Sequence, residues 1–255
     1  EATIEQNFKI TPQQLAAAIT PRTKAIILCS PSNPTGSVYS LEELEGLAEV
    51  LRQHPEVLVI ADEIYEHINY VGKHASIATL PDMQERTAII NGVSKAYAMT
   101  GWRIGFVAAP LALAKAVNKL QGQYTSGAGS ISQKASVAAF NGDQAPVEEM
   151  RQAFLRRKNL IVRLAKEIPG FEVNDPEGAF YLFPKCSSYF GKTDGTTTIR
   201  TSDDFALYLL QEAHVACVGG DSFGSPQCFR MSYATSDENI VEAMRRIKEA
   251  CAKLK

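Results

Sequence analysis

The chain has few of the residue types that mark specialised protein classes. Among its 255 residues are 5 cysteines, 4 histidines and 1 tryptophan. The cysteines are odd in number and widely spread, which argues against a disulfide framework and favours buried thiols in a reducing compartment. The histidines and cysteines also lack the spacing of zinc ligands, so the sequence predicts no bound metal.

Long apolar runs and an excess of one charge are also absent. No apolar run is long enough to cross a bilayer, and the formal net charge is only −2. These absences predict that neither a membrane nor a nucleic acid is a partner. With 45% hydrophobic and 21% charged residues, the composition is that of an ordinary globular protein, and we expect a cytoplasmic one.

The first part of the chain alternates short apolar segments with amphipathic ones. The predicted strands are 24–29, 57–61, 87–91 and 104–108, and the predicted helices are 41–53, 111–124, 130–141 and 146–168. Alternation of this kind is typical of the crossover units of a mostly parallel sheet. It predicts an α/β domain over residues 1–155.

The rest of the chain has a different pattern. Strands are predicted at 171–173, 179–183, 215–218 and 229–233, with helices over 203–213 and from Asp237 onwards. Strands and helices mixed without regular alternation predict a smaller α+β domain over residues 156–255. No linker or repeat marks the boundary between the two domains.

Lys95 stands where a lysine is hard to explain by solvation. It follows the predicted strand 87–91 at a Gly/Ser turn, away from any polar helical face. Partial desolvation favours the neutral amine, which attacks carbonyl carbons to form Schiff bases. Lys95 is therefore a candidate nucleophile, and its alternative is an ordinary solvated lysine.

The residues around Lys95 complement this chemistry. Arg103 lies between Gly101 and Gly105, which let the backbone approach a ligand closely, and Ser94 adds a hydroxyl group. A guanidinium binds phosphate oxygens in pairs. An amine beside a phosphate site points to pyridoxal 5′-phosphate, which proteins hold as a lysine Schiff base.

Two other strand ends carry residues suited to the same cofactor. Asp62 follows strand 57–61 and is placed to keep the cofactor's ring nitrogen protonated, with a helix N-cap as an equal alternative. Tyr65 and Asn33, which follows strand 24–29, suit the ring oxygen; ordinary packing and a tight turn are their alternatives. Because ligands collect outside the carboxyl ends of strands, we expect the three ends to converge on one ligand.

These segments resemble the fold-type I, pyridoxal-phosphate-dependent aminotransferases of class I/II, and the bacterial aspartate aminotransferase branch in particular. The matching motifs, in order, are Ser32-Asn33-Pro34-Thr35-Gly36, Asp62-Glu63-Ile64-Tyr65-Glu66, Ser94-Lys95 with Thr100-Gly101-Trp102-Arg103-Ile104-Gly105, and Phe229-Arg230-Met231-Ser232-Tyr233-Ala234-Thr235-Ser236. The resemblance implies a three-layer α/β/α large domain, here incomplete, with a mostly parallel sheet, and a smaller α+β C-terminal domain.

The resemblance also implies a role for each position that holds the cofactor. Lys95 forms the Schiff base with pyridoxal 5′-phosphate, and Asp62 pairs with the ring nitrogen. Tyr65 and Asn33 hydrogen-bond the ring oxygen, and Arg103 binds the phosphate. The catalytic residues expected from the family are Lys95, Asp62 and Tyr65.

Gly92 departs from the family pattern, since many members have a phosphate-binding serine three residues before the lysine. We expect Ser94 to supply that hydroxyl. Near the C-terminus, Arg230 matches the arginine that binds the substrate's α-carboxylate, with Asn33 as a second substrate contact. Taken from its own strand-like setting, Arg230 has a surface cross-strand ion pair as its alternative.

The implied reaction is transamination between an amino acid, aspartate or glutamate, and a 2-oxo acid, 2-oxoglutarate or oxaloacetate, in a homodimer. Aromatic amino acids or prephenate are competing substrates. A C–S lyase on the same fold and a non-catalytic aminotransferase-like module are the alternatives from other classes.

The start of the chain is the largest departure from the family. Members have a large segment upstream of the Asn33 motif, whereas this chain begins at Glu1. We therefore expect a truncated aminotransferase that binds its cofactor poorly, turns over slowly or not at all, and forms a weakened dimer.

Overall fold

The structure is a computed structural model that describes residues 2–255. These residues form two compact units. The sheet unit comprises Lys9–Pro31 and Val38–Arg151, and the C-terminal unit comprises the described residues up to Phe8, Ser32–Ser37 and Gln152–Lys255. The predicted division into domains 1–155 and 156–255 stays a prediction.

The sheet unit contains four strands and the helices that connect or follow them. The strands are β1 (Ala25–Cys29), β2 (Leu58–Asp62), β3 (Thr87–Gly92) and β4 (Gly105–Ala108). The helices are α1 (Pro12–Ala18), α2 (Leu41–Arg52), α3 (Leu111–Tyr124) and α4 (Ser130–Asn141). Helix α5 (Ala145–Lys166) begins in the sheet unit and continues into the C-terminal unit. The strands and helices predicted here are confirmed, with small shifts at their ends.

The four strands lie in the order β1-β2-β3-β4, with β1, β2 and β3 parallel and β4 antiparallel to β3. Cys29 pairs with Asp62, and Asp62 with Ile90, so β1 and β2 end at the same level and β3 ends two residues beyond it. Gly92 pairs with Gly105, which places the start of β4 there too. We call this side of the sheet the site edge.

One face of the sheet forms the main core of the sheet unit. That core includes Leu28, Val59 and Ala61 from the strands and Leu44, Leu47, Ala48 and Leu51 from α2. Helix α2 begins at a capping box: Ser40 Oγ accepts from the Glu43 N–H at 3.1 Å, and Glu43 Oε2 accepts from the Ser40 N–H at 2.8 Å. On the other face, Ile27, Leu58 and Ile90 are 73%, 41% and 37% exposed.

The C-terminal unit has a small antiparallel sheet of strand order β5-β7-β6. Its elements are β5 (Tyr181–Leu182), α6 (Ser202–Tyr208), β6 (Val218–Gly219), β7 (Phe229–Ser232) and α7 (Asp237–Lys253). The helix predicted over 203–213 is α-helical only to Tyr208 and continues as a π-turn through Ala213. No helix among residues 2–255 is both long and apolar enough to span a membrane.

The predicted strand 171–173 is wrong. Only Glu172 pairs there, in an isolated bridge with Lys185. The apolar signal has another cause: the Phe171 ring packs against the rings of Tyr189, Phe205 and Phe229. An apolar residue can thus serve the core without belonging to a strand.

Arg86, just before β3, binds the backbone of the connection between α2 and β2. Its guanidinium is buried, with Nε donating to the Val57 carbonyl at 3.0 Å and Nη1 to the Leu51 carbonyl at 2.7 Å. Nη2 donates to the carbonyls of His54 and Val57. One side chain therefore satisfies three backbone carbonyls of the connection that leads into β2.

We expect Arg86→Met to lower the free energy of unfolding by about 3 kcal/mol, because buried carbonyls lose their charged donor. Denaturant unfolding of the variant measures the loss. The matched control is Arg52→Met, which removes a guanidinium paired with Glu45 at the surface and should change stability much less. Equal losses in the two variants would contradict the role given to Arg86.

Candidate active site

Asp62 is the last residue of β2 and lies at the site edge. Its Oδ1 accepts a hydrogen bond from the Ile64 N–H at 3.2 Å, which fixes the carboxylate over its own turn. The residues that follow form turns, so Asp62 is not a helix N-cap. The carboxylate is half-buried, as expected for a group that faces a ligand from a strand end.

Lys95 lies in the turn that follows β3, three residues after the strand ends. Its Nζ is 5.6 Å from the centre of the Tyr65 ring, which is within the range of a cation–π contact. Tyr65 is only 3% exposed, and Lys95 is half-buried. The structure therefore brings these two predicted residues together, and Lys95 is less exposed than an ordinary solvated lysine.

Gly92 closes β3 opposite Gly105, which opens β4. A Cβ at position 92 would lie 2.9 Å from the Gly105 Cα and 3.0 Å from the Ile104 carbonyl oxygen, and real Cβ atoms rarely approach backbone so closely. A Cβ at position 105 would lie 3.0 Å from the Asn91 carbonyl oxygen. Gly92 thus has a physical reason to differ from the family serine, since β3 and β4 approach each other too closely at this pair for a side chain.

Arg103 and Ser94 lie at the same edge. Arg103 follows the 3₁₀ turn Thr100–Trp102 with φ +51°, a left-handed conformation that costs a non-glycine residue about 1–2 kcal/mol. Its Nη1 donates to the Thr100 carbonyl at 2.8 Å, and the residue is exposed. Ser94 is half-buried beside Lys95. The strained backbone at Arg103 is the kind of feature that clusters at ligand sites.

Arg230 and Asn33 meet in the C-terminal unit. Arg230 Nη1 donates to Asn33 Oδ1 at 2.9 Å. The guanidinium carbon is 4.8 Å from the centre of the Tyr181 ring and 4.9 Å from that of Phe223. Within residues 2–255 Arg230 has no carboxylate partner, so the alternative of a cross-strand ion pair is not what the structure shows.

The segment that carries Asn33 is fixed by backbone contacts. Asn174 Nδ2 donates to the Thr35 carbonyl at 2.8 Å. Gly36 has φ +71°, and a Cβ there would lie 2.5 Å from the Pro176 Cβ, so only glycine fits. The tight turn predicted around Asn33 therefore also serves to position its amide.

The two aromatic neighbours of Arg230 were not predicted as site residues. Tyr181 lies in the predicted strand 179–183, where it looks like one more core position. Phe223 ends the 3₁₀ turn Gly220–Phe223, and nothing in the local sequence distinguishes it. A ring's contact with a distant guanidinium depends on tertiary packing, so no spacing rule finds it.

A charged pair lies beside the Lys95 turn. The rings of Tyr97 and His67 meet edge to face at 6.1 Å, and His67 Nε2 is 3.3 Å from Glu66 Oε1. That hydrogen bond raises the pKa of His67 and lowers the pKa of Glu66. Burial raises the pKa of Tyr97, and the charge of Glu66 adds to the effect. The Glu66 carboxylate therefore acts to raise the pKa values of both neighbouring rings, His67 and Tyr97.

The family model for aminotransferase class I and II matches residues 1–247 of this chain. The chain belongs to this family. The aspartate aminotransferase of Geobacillus stearothermophilus is 51% identical over 247 residues, covering 96% of this chain and 62% of the relative. A Petunia hybrida protein named bifunctional aspartate aminotransferase and glutamate/aspartate-prephenate aminotransferase is 48% identical over 257 residues, covering 99% of this chain and 54% of the relative.

A solved structure gives the same result for this class I and II aminotransferase chain. The crystal structure of the aspartate aminotransferase from Rhizobium meliloti superposes with a TM-score of 0.95 at 46% identity, covering 99% of this chain and 64% of that one. The predicted family resemblance and the α/β fold class are thereby confirmed. The chain spans 54%, 62% and 64% of the three relatives' lengths, less than two thirds in each case.

Glu66→Gln should lower the pKa of His67 towards its ordinary value, because the hydrogen bond to the carboxylate is the largest cause of the upward shift. The raised pKa means that the pair's stabilisation is complete below pH 6.5 and is lost as pH rises through the folded-state pKa. Because the pKa of Glu66 is lowered, the same stabilisation is complete above pH 4.5 and is lost as the pH falls through the folded-state pKa of Glu66. An NMR titration of the imidazole measures the shift.

The control is Glu148→Gln, which removes a carboxylate paired with Arg151 and should leave the pKa of His67 unchanged. Wild type and Glu66→Gln should differ most in unfolding free energy between pH 4.5 and 6.5. If the His67 pKa were the same in wild type and Glu66→Gln, the pair would carry no such coupling.

Proposed function

We propose that this chain supplies active-site residues for pyridoxal-phosphate-dependent transamination between aspartate or glutamate and a 2-oxo acid, in an enzyme that works as a homodimer in the cytoplasm. The observation that carries the proposal is the Lys95 amine, 5.6 Å from the Tyr65 ring at the edge where β2 ends in Asp62. Membership of the aminotransferase family supports the reaction class. The names of the Geobacillus and Rhizobium relatives support the dicarboxylic substrates.

The donor set at the site edge fits pyridoxal 5′-phosphate group by group. The Lys95 amine suits the aldehyde carbon, and the Asp62 carboxylate suits the ring N–H. The Tyr65 hydroxyl suits the ring oxygen. The exposed Arg103 guanidinium and the Ser94 hydroxyl suit the phosphate oxygens. Each group that the cofactor presents thus has a side chain of matching chemistry in the sheet unit.

When bound, the cofactor supplies an electron sink for the charge that develops on the substrate Cα. Lys95 first holds the cofactor and then, as a free amine, takes the proton from Cα at Nζ as general base. Asp62 keeps the ring nitrogen protonated through its carboxylate. The buried Tyr65 ring excludes water from one side of Nζ, which keeps that amine poised for proton transfer.

The Arg230 guanidinium is suited to the substrate's α-carboxylate. Tyr181 and Phe223 cover it, while Asn33 accepts from Nη1. These contacts hold the guanidinium plane so that its remaining N–H groups present a fork to a planar carboxylate. The hydrogen bond predicted from Asn33 to the cofactor's ring oxygen stays a prediction.

Borohydride reduction of the chain with pyridoxal 5′-phosphate should leave a stable adduct on the peptide that contains Lys95, as measured by mass spectrometry. Lys95→Ala should lose that adduct and lower aspartate transamination by at least about 10³-fold, because the chain loses its general base. Lys115→Ala, on exposed α3, is the control and should label like wild type. Labelling elsewhere with an unmodified Lys95 peptide would refute the assignment.

Arg230→Gln should raise the KM for aspartate by about 100-fold, because the carboxylate loses a charged, paired donor. The stability of the variant should change little, since within residues 2–255 Arg230 has no ion pair to lose. Arg245→Gln is the matched control, at an exposed arginine paired with Glu242 and Glu249 on α7. Steady-state kinetics measure the KM for aspartate in both variants, and only Arg230→Gln should raise it. An unchanged KM in Arg230→Gln would rule out the carboxylate role.

Transamination of prephenate is a second candidate, favoured by the name of the Petunia relative. Prephenate and oxaloacetate both present a 2-oxo acid group, so Arg230 does not distinguish them. The ratio of kcat/KM for the two acceptors, with glutamate as donor, decides between the candidates.

A further inference from the structure

Two glutamates and a histidine lie together in the connection that follows Asp62, apart from the residues assigned to the cofactor. Ligand atoms of Glu63, Glu66 and His74 all lie within 4.8 Å of one another. We propose that these three side chains bind a divalent first-row transition ion such as Zn²⁺. The expectation of no metal rested on the spacing of cysteines and histidines, and a carboxylate-rich set has no such spacing.

His74 is the strongest indication of a ligand. Both of its ring nitrogens are buried, and neither makes a hydrogen bond in the described part of the chain. Nε2 is 3.0 Å from Glu63 Oε2, but the contact does not have the geometry of a hydrogen bond. Because buried polar atoms nearly always have partners, this imidazole needs one, and a metal ion supplies it at the nitrogen that binds the ion.

Glu63 is arranged as ligating carboxylates usually are. It is 6% exposed, and its Oε1 accepts from Ser76 Oγ at 2.6 Å, which orients the carboxylate. The other oxygen, Oε2, faces His74 Nε2 at 3.0 Å. Ligand atoms about 2.0–2.2 Å from one tetrahedral zinc are about 3.3 Å apart, so this separation suits two ligands of a shared ion.

The charges also favour a cation. Glu63 and Glu66 bring two carboxylates to one partly buried place, and buried charge is normally paired or metal-bound. The competing arrangement is an ion pair between His74 and Glu63 without a metal. An imidazole among the ligands favours zinc and its neighbours over magnesium or calcium.

The site is also accessible. Glu66 and His74 line two clefts of about 660 and 510 Å³. These clefts give an ion an entry path and leave room for water in its remaining coordination positions, as an open three-ligand site requires. A fixed ion here would tie Glu63, next to Asp62, to His74 across the connection.

Isothermal titration of the untagged, chelator-treated chain with Zn²⁺ tests the proposal. We expect one ion per chain and an affinity at least about 100-fold weaker in His74→Ala and in Glu66→Gln, because each loses a ligand. The control is His54→Ala, which removes a histidine 3.8 Å from Glu56 in the same unit and should bind like wild type.

Two results would overturn the proposal. One is no binding by wild type at about 1 mM Zn²⁺, and the other is binding that His74→Ala and Glu66→Gln leave unchanged. If His74→Ala fails to fold by circular dichroism, Glu66→Gln, at a partly exposed position, carries the test. Anomalous scattering at the zinc edge from a soaked crystal must place the ion between Glu63 and His74; an ion elsewhere also overturns the proposal.

Discussion

The parallel register of β1, β2 and β3 is the constraint on which the proposed cofactor site depends. Since Cys29, Asp62 and Ile90 pair across the sheet, β1 and β2 stop at one level and β3 stops two residues beyond it, and each following turn opens on the same edge. Asp62 and Lys95 are far apart in sequence yet share that edge. A slip of one residue in β2 would move the Asp62 carboxylate to the opposite face of the sheet and separate it from its neighbours.

The antiparallel strand β4 adds a second requirement, namely close backbone contact. Strand β4 runs antiparallel to β3 and begins where β3 ends. Arg103, which comes just before β4, therefore lies at the site edge. This pairing is possible only because Gly92 and Gly105 face each other without side chains. A side chain at position 92 is incompatible with this packing, and the phosphate role expected for Ser94 stays a prediction.

Much of the fold and part of the candidate site could be predicted from the sequence, where the signal is local. Strand β1 is a single apolar run, and α2 begins at a Ser40/Glu43 capping box. The strand prediction at 171–173 was wrong because, in the sequence, an apolar residue packed among rings looks the same as a strand residue. The rings around Arg230 and the His74 cluster could not be predicted, because they depend on where connections without regular structure fold back.

The open face of the sheet has a thermodynamic consequence. Ile27, Leu58 and Ile90 already meet water in the folded chain. Unfolding therefore hydrates less new apolar surface at these positions than it would in a sheet covered on both sides. Because apolar hydration is the source of the heat-capacity increase on unfolding, that increase is smaller here. For these 255 residues taken alone, we expect stability to vary more gently with temperature, with a broader and flatter maximum.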